Sequence, residues 1–184
     1  EIKDEFIRKY NKYFVFIGNV LKNKGVDKLI EIWNEIDEEE KSDCLLIIAG
    51  KFSNDLKFIK KLKKENDYLI IDRFLKKSEF NWVLKKSNLV LLPYRNGSVS
   101  GVLFSAANFK KPVLTTNFGS IQEYIINNKT GFISSDFEEF KHYLKILLKQ
   151  SSNYLSEIGI KNKNHIYDIC GEKNITSIIK NNFN

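Results

Sequence analysis

The run CLLIIAG at residues 44–50 is apolar at every position before its glycine. Successive strand residues point to opposite faces, so such a run belongs in a sheet covered on both sides, which is how parallel sheets are built. YFVFIG (13–18) and NLVLLP (88–93) have the same character, and YLIID (68–72), PVLTT (112–116) and TGFISS (130–135) are shorter runs of strand length. Segments of helical period lie between them. Val26, Leu29, Ile30, Trp33 and Ile36 fall on one face of a helix, and a lysine-rich helix is predicted at about 54–65. SEFNWVLKKS (78–87) is predicted helical with Ser78 as its N-cap, as are residues 101–110 and SIQEYIINN (120–128). From about 136 everything reads as helix, with a break near 150–153. Strand and helix alternating about five times predict an α/β fold. The expected architecture is a Rossmann-like, doubly wound parallel sheet of about six strands, with helices on both faces and C-terminal helices appended.

Composition narrows the partners. The net charge of +7 rests on lysine, with arginine only at Arg8, Arg73 and Arg95. Lysines spread beside acidic residues, as in KFIKKLKKEND, read as a solvated surface, and no nucleic-acid partner is expected. Weak attraction to an anionic membrane surface or an anionic substrate is the other reading. No run reaches the roughly 18 apolar residues of a membrane span. Cys44 and Cys170 make no metal or redox spacing; Cys44 opens an apolar run and is expected to be a buried thiol in a reducing compartment. Methionine is absent, position 1 included, so the chain reads as a piece of a longer protein entered through a linker at residues 1–12.

In doubly wound sheets ligands sit beyond the carboxyl ends of the strands, where the strand order reverses. That rule selects loops 18–25, 50–54, 72–77, 93–101 and 116–120. They hold Gly18, Gly50, Gly97 and Gly119, together with Arg73 and Arg95. Such an arginine either serves a ligand or is solvated or capping a neighbouring carbonyl. GSVSGVLFSA (97–106) has the parts of an anion site: glycines for close approach, the Ser98 and Ser100 hydroxyls, and a helix beginning near Gly101. The same residues also suit an ordinary strand-to-helix turn capped by serine. GNVLKNKG (18–25) is neither a Walker loop nor a dinucleotide fingerprint, but Lys22 or Lys24 can reach across the strand ends as a point charge for phosphate. AGKF (49–52) reads as strand punctuation. No H-E-x-x-H, C-x-x-C or D-x-D occurs, His142 and His165 lie far along the chain, and no metal site is expected.

FIGNVLKNKGVDKLIEIW, LLIIAG and SNLVLLPYRNGSVSGVLFSAANFKKPVLTTNFGSIQEYIINNKTGF, in this order and spacing, resemble the donor-binding half of GT-B glycosyltransferases, specifically the retaining group called family 4. The resemblance covers about 13–135. It implies a nucleotide-sugar donor-binding domain at 13–150 and a C-terminal helical segment at 151–184. Lys24 and Gly25 match the lysine and glycine of the family's first-strand loop, so Lys24 inherits the catalytic role of offsetting charge on the departing diphosphate. The diphosphate is assigned to Gly18, Asn19, Lys24, Ser100, Gly101 and Val102, with the Gly101 and Val102 amides matching an S-G-V branch of the family. Asn19 replaces the family's arginine. Two family glutamates, eight apart, correspond to Gly97 and Ser105. Arg73, Phe74, Leu75 and Ser105 fall on ribose and nucleobase positions, and Asn96, Gly97 and Ser98 on the sugar loop. Glu123 matches an acidic family position with a structural role.

What the resemblance implies is transfer of a hexose or N-acetylhexosamine, with retention, from a nucleoside diphosphate sugar to a hydroxyl in polysaccharide or glycolipid assembly. A UDP-sugar is expected ahead of a GDP-sugar, with neither metal nor cofactor. A saccharide or lipid-linked acceptor would be bound by an N-terminal domain outside this chain, leaving the fragment alone inactive. A cytoplasmic location follows, with peripheral association at the inner membrane face. Ile166, Ile169, Ile175, Ile178 and Ile179 form either a seam toward that other domain or ordinary core. A non-catalytic GT-B partner or regulatory chain is the alternative, motivated by Asn19, Gly97 and Ser105.

Overall fold

The computed structural model describes residues 9–61 and 67–171. Six strands form one parallel sheet: β1 (Lys12–Ile17), β2 (Cys44–Ala49), β3 (Tyr68–Ile71), β4 (Leu89–Leu92), β5 (Val113–Thr116) and β6 (Phe132–Ser134). Their order is β3-β2-β1-β4-β5-β6, the doubly wound order expected from the sequence. Among the described residues five α-helices accompany them: α1 (Val26–Glu35), α2 (Lys77–Lys86), α3 (Gly101–Asn108), α4 (Phe137–Leu148) and α5 (Ser152–Cys170).

Right-handed crossovers place α1 and the 3-10 segment Asn54–Lys61 on one face, and α2 and α3 on the other. Ion pairs seat α4 beside the end of α1 and the 3-10 turn Glu39–Lys41 that follows it. Lys141 Nζ lies 2.5 Å from Glu35, and Lys145 and Lys149 lie 2.9 and 2.7 Å from Glu40. α5 joins the opposite face by packing on the turn after α3. There a Cβ on Gly159 would lie 2.0 Å from the Lys110 carbonyl oxygen, and Asn162 Nδ2 donates to Lys111 O at 2.9 Å.

Every β2 residue is fully buried, as its apolar run requires. Each large side chain so buried stabilises the fold by about 1.5–3 kcal/mol before conformational entropy is counted. Trp33 of α1 sits 5.9 Å from Phe14 and 6.2 Å from Tyr68, centroid to centroid. Its indole Nε1 donates to Asp67 Oδ2 at 2.7 Å, while buried Lys41 lies 3.0 Å from the same carboxylate and donates to Trp33 O. This buried pair ties the amino ends of β2 and β3 to α1. Cys44 is a buried free thiol whose pKa is pushed up by desolvation, and Cys170 is exposed.

Several local expectations are corrected. Residues 120–128 do not form a helix; only Ile121–Glu123 make a 3-10 turn. Thr130 Oγ1 accepts the Ile126 N–H at 2.8 Å, Asn127 Oδ1 accepts the Ile133 N–H at 2.9 Å, and Asn128 adopts φ 61°. These side chains bond the backbone locally and turn it into β6, an alternative to helix that Thr and Asn readily offer. α2 starts at Lys77, so Ser78 lies inside the first turn and is not the N-cap. Glu79 reaches back instead, accepting the Lys76 N–H at 2.9 Å. The 101–110 helix stops at Asn108, and Lys110 turns the chain out at φ 56°. The lysine-rich segment is 3-10 over Asn54–Lys61, and the rest of 54–65 lies outside the described residues. The break near 150–153 is as expected, with Ser151 capping α5 by accepting the Tyr154 N–H. Ile166 is buried and Ile169 half-buried, while Ile175, Ile178 and Ile179 lie outside the described residues, as do residues 1–8 of the expected linker.

Candidate functional site

β1 and β4 are neighbours, yet their following connections depart in opposite directions, so a crevice opens between loops 18–25 and 93–100. Backbone packing joins these loops. Gly25 adopts φ 67°, and a Cβ there would lie 1.9 Å from the Pro93 carbonyl oxygen. A Cβ on Gly50, at the end of β2, would lie 1.8 Å from Gly18 O. One on Gly119, after β5, would lie 2.6 Å from Gly97 O. The ends of β2, β1, β4 and β5 thus form one continuous floor.

Lys22–Lys24 form a 3-10 turn that the strip Arg95–Asn96 holds in place. Arg95 N donates to Asn23 O at 2.8 Å, and Asn23 Nδ2 donates to Asn96 O at 3.3 Å. The Arg95 guanidinium donates to Lys22 O at 2.7 Å and forks onto both carboxylate oxygens of Asp27, each at 2.7 Å. Burial pushes the Asp27 carboxyl up, but the hydrogen bonds and charge of Arg95 outweigh it and hold its pKa below the usual value. Lys24 is half-buried, with its ammonium 3.7 Å from the centroid of the Tyr94 ring. Desolvation lowers its pKa. Among the described residues Arg73, Arg95 and Lys51 each pair with a carboxylate, whereas Lys24 has no acidic partner.

α3 opens on the same crevice. Ser100 is its N-cap: Ser100 Oγ accepts the Val102 N–H at 3.3 Å and lies 3.1 Å from Tyr94 Oη. The Val102 amide is therefore occupied by its own cap, and the Gly101 amide is the more open of the two. Gly101 is exposed, with nothing within 4 Å of where a Cβ would stand. Val102 Cγ2 comes within 3.7 Å of the Cβ position of Gly18. Ser105 Oγ is turned back onto its own helix, donating to Gly101 O at 3.0 Å. Asn19, Asn96, Gly97 and Ser98 are exposed along the rim.

The structure brings Gly18, Lys24, Ser100, Gly101 and Val102 together at the crevice. Arg73, Phe74 and Leu75 stand apart, beyond edge strand β3, which is two strands from β1 and so roughly 10 Å away. Phe74 is 71% exposed. Arg73 forks onto Glu79 at 2.7 and 2.6 Å, and those hydrogen bonds hold the Glu79 carboxyl at about 2. Glu123 is exposed in its 3-10 turn. Two clefts lie elsewhere. One of about 420 Å³ sits at the amino ends of β1 and β3 beside Tyr10, Lys41 and Asp67, and one of about 390 Å³ lies beside Asn117, Ile133 and Glu139. Lys24 lines neither of them.

A family model described as glycosyl transferases group 1 matches residues 1–165. The chain belongs to this family. An uncharacterized glycosyltransferase of Methanocaldococcus jannaschii is 27% identical over 191 residues, covering 100% of this chain and 44% of its own length. The chain spans less than half the length of the curated relatives it matches. The crystal structure of the C-terminal domain of a glycosyl transferase group 1 family protein, LpcC of Francisella tularensis, superposes with a TM-score of 0.75. Identity is 18%, with 89% of each chain covered. S. aureus TarM, solved in complex with UDP, gives a TM-score of 0.74 at 19% identity over 94% of this chain and 35% of its own. At these identities the solved structures establish the fold.

Two residues of this glycosyl transferase group 1 chain escaped the reading of its sequence. Asp27 holds Arg95, and Tyr94 lies under Lys24. Both carried a faint signal: an acid in the first turn of α1 directly after Gly25, and an aromatic ring set in a polar loop between Pro93 and Arg95. Besides their carboxylates the two loop arginines bond backbone carbonyls, Arg95 donating to Lys22 O and Arg73 to Phe74 O at 3.3 Å.

Among the described residues, no helix is long and apolar enough to cross a membrane.

Proposed function

We propose that this chain is the nucleotide-sugar donor-binding domain of a retaining glycosyltransferase, moving a hexose or N-acetylhexosamine to a hydroxyl in polysaccharide or glycolipid assembly. The observation that carries this reading is the Lys24 ammonium, held at the β1/β4 crevice beside the amino end of α3, with no carboxylate partner among the described residues. When the bond between the anomeric carbon and the diphosphate breaks, its electron pair leaves on a phosphate oxygen. Lys24, the Gly101 amide and the positive end of α3 offset that growing charge from fixed positions. The diphosphate is assigned to Gly18, Asn19, Lys24, Ser100, Gly101 and Val102, and the nucleoside to the side of Arg73, Phe74 and Leu75, with Phe74 exposed for stacking. UDP is the preferred nucleotide, supported by the UDP bound to the similarly folded TarM. The acceptor site and any membrane association belong to a part of the protein outside this chain, and the cytoplasm is the proposed location. Titration calorimetry with UDP and GDP tests the reading. Lys24→Ala is expected to weaken nucleotide binding about 10- to 100-fold, the loss of one charge-assisted contact. Its melting temperature should stay within about 2 °C of the parent. Equal affinity in variant and parent would remove Lys24 from the site.

A second reading, a non-catalytic partner or regulatory domain, is favoured by one feature. Ser105, which the family resemblance matches to a glutamate position, donates its hydroxyl to its own helix. Turnover of any nucleotide sugar by the full-length protein would exclude it.

A further inference from the structure

Tyr94 connects the two halves of the crevice. Its ring carries the Lys24 ammonium at 3.7 Å from the centroid, and its hydroxyl meets Ser100 Oγ, the cap of α3, at 3.1 Å. The side chain is held on every side. Phe118 packs against its ring at 4.9 Å and Phe16 at 6.5 Å, while Thr116 Oγ1 donates to its backbone carbonyl. Tyr94 is 3% exposed. The following residue, Arg95, clasps the backbone of Lys22 and Asn23, so the turn carrying Lys24 and the ring beneath it are located by adjacent residues.

We propose that Tyr94 is a positioning residue for Lys24: its ring face seats the ammonium over the crevice without neutralising it. A lysine needs a seat because its four-carbon stem is flexible and a mobile ammonium loses rotamer freedom when a ligand is bound. A carboxylate would provide one at the expense of the charge that an anion requires. An aromatic ring attracts the cation through its quadrupole and carries no net charge, so a full positive charge remains for the ligand. Burial raises the Tyr94 phenol, which keeps the ring neutral across the working pH range. The ammonium has three N–H donors, and contact with one ring face leaves donors for phosphate. This inference rests on the proposed role of Lys24 in binding a diphosphate, and its two parts are tested separately.

The seat itself is read in the unliganded chain by NMR with isotope-labelled lysine, Lys24 being assigned through Lys24→Arg. Ring current is expected to move the Lys24 ε-methylene upfield of the other lysines in the parent and in Tyr94→Phe, and to vanish in Tyr94→Leu. An unshifted Lys24 in the parent overturns the proposal. Calorimetry with UDP reads the consequence. Tyr94→Phe should bind within about twofold of the parent, and Tyr94→Leu about tenfold more weakly. The Lys24→Ala/Tyr94→Leu double variant should bind no more weakly than Lys24→Ala alone. Multiplying losses, or parent-like affinity in Tyr94→Leu, would show that the ring acts otherwise. Replacing Tyr94 by phenylalanine and then by pentafluorophenylalanine retains nearly the same packing but reverses the ring quadrupole. Affinity should fall about tenfold between these two even if Tyr94→Leu fails to fold, and equal affinity sinks the seat. A parent that binds neither UDP nor GDP overturns the proposed function, while the resonance of Lys24 still decides the seat.

Discussion

Asp27 and Glu79 each accept an arginine fork, and each keeps its charge to lower pH when folded than when unfolded. As pH falls, the unfolded chain protonates first, near the ordinary carboxylate range of about 4. The stability contributed by both groups is therefore complete above that range and is lost as pH drops toward about 2, where the Glu79 carboxyl titrates. Melting temperatures recorded between about pH 5 and pH 2 should fall steadily, and Asp27→Asn should flatten part of that slope. At neutral pH the same variant should lower stability by about 1–2 kcal/mol, because it leaves the half-buried Arg95 without its charged acceptor. A slope unchanged by Asp27→Asn would mean that the clasp contributes nothing. At this scale the sequence was half legible. Arg73 and Arg95 stood out as rare residues in strand-end loops, but Asp27 is 68 positions from Arg95 and only the β1/β4 pairing brings them together.

Among the elements, the strands were legible because burial on both faces writes itself as continuous apolar sequence, whereas the segment 120–128 was not. It has helical period, but Thr130 takes the Ile126 N–H and Asn127 takes that of Ile133, a β6 residue held alongside β5. The glycines divide in the same manner. Gly25→Ala would force φ 67° on alanine and press its Cβ to 1.9 Å from Pro93 O, whereas Gly101→Ala meets nothing. Chemical denaturation should show Gly25→Ala destabilised by about 3 kcal/mol, from strain and steric overlap together. Gly101→Ala should be neutral or up to about 1 kcal/mol more stable, since alanine suits a helix better than glycine. Equal effects of the two substitutions would contradict the close approach of the 18–25 and 93–100 loops.

Across the molecule one hydrophobic cluster runs from Trp33 on one face, through β2, β1, β4 and β5, to Leu103 on the other and on to Leu147 and Leu155 of the last two helices. Trp33 lies deep in this cluster and Trp82 packs against it from α2. Such a continuous core should unfold as one unit. Tryptophan fluorescence and far-ultraviolet circular dichroism are therefore expected to give coincident urea transitions; separated midpoints would reveal a subdomain that melts alone.

By itself the sequence determined that this chain forms a doubly wound parallel sheet, because apolar runs of strand length alternating with helical period leave few other ways to bury both faces. It also marked the loops that meet at the carboxyl ends, Lys24 among them, since glycine and proline punctuate where strands must end. Only the tertiary structure decided what surrounds Lys24: a neutral ring beneath it, no acid beside it among the described residues, and an Arg95–Asp27 clasp holding its turn. Those contacts join residues about 70 positions apart across neighbouring strands, and no local pattern encodes a distance that only strand pairing creates.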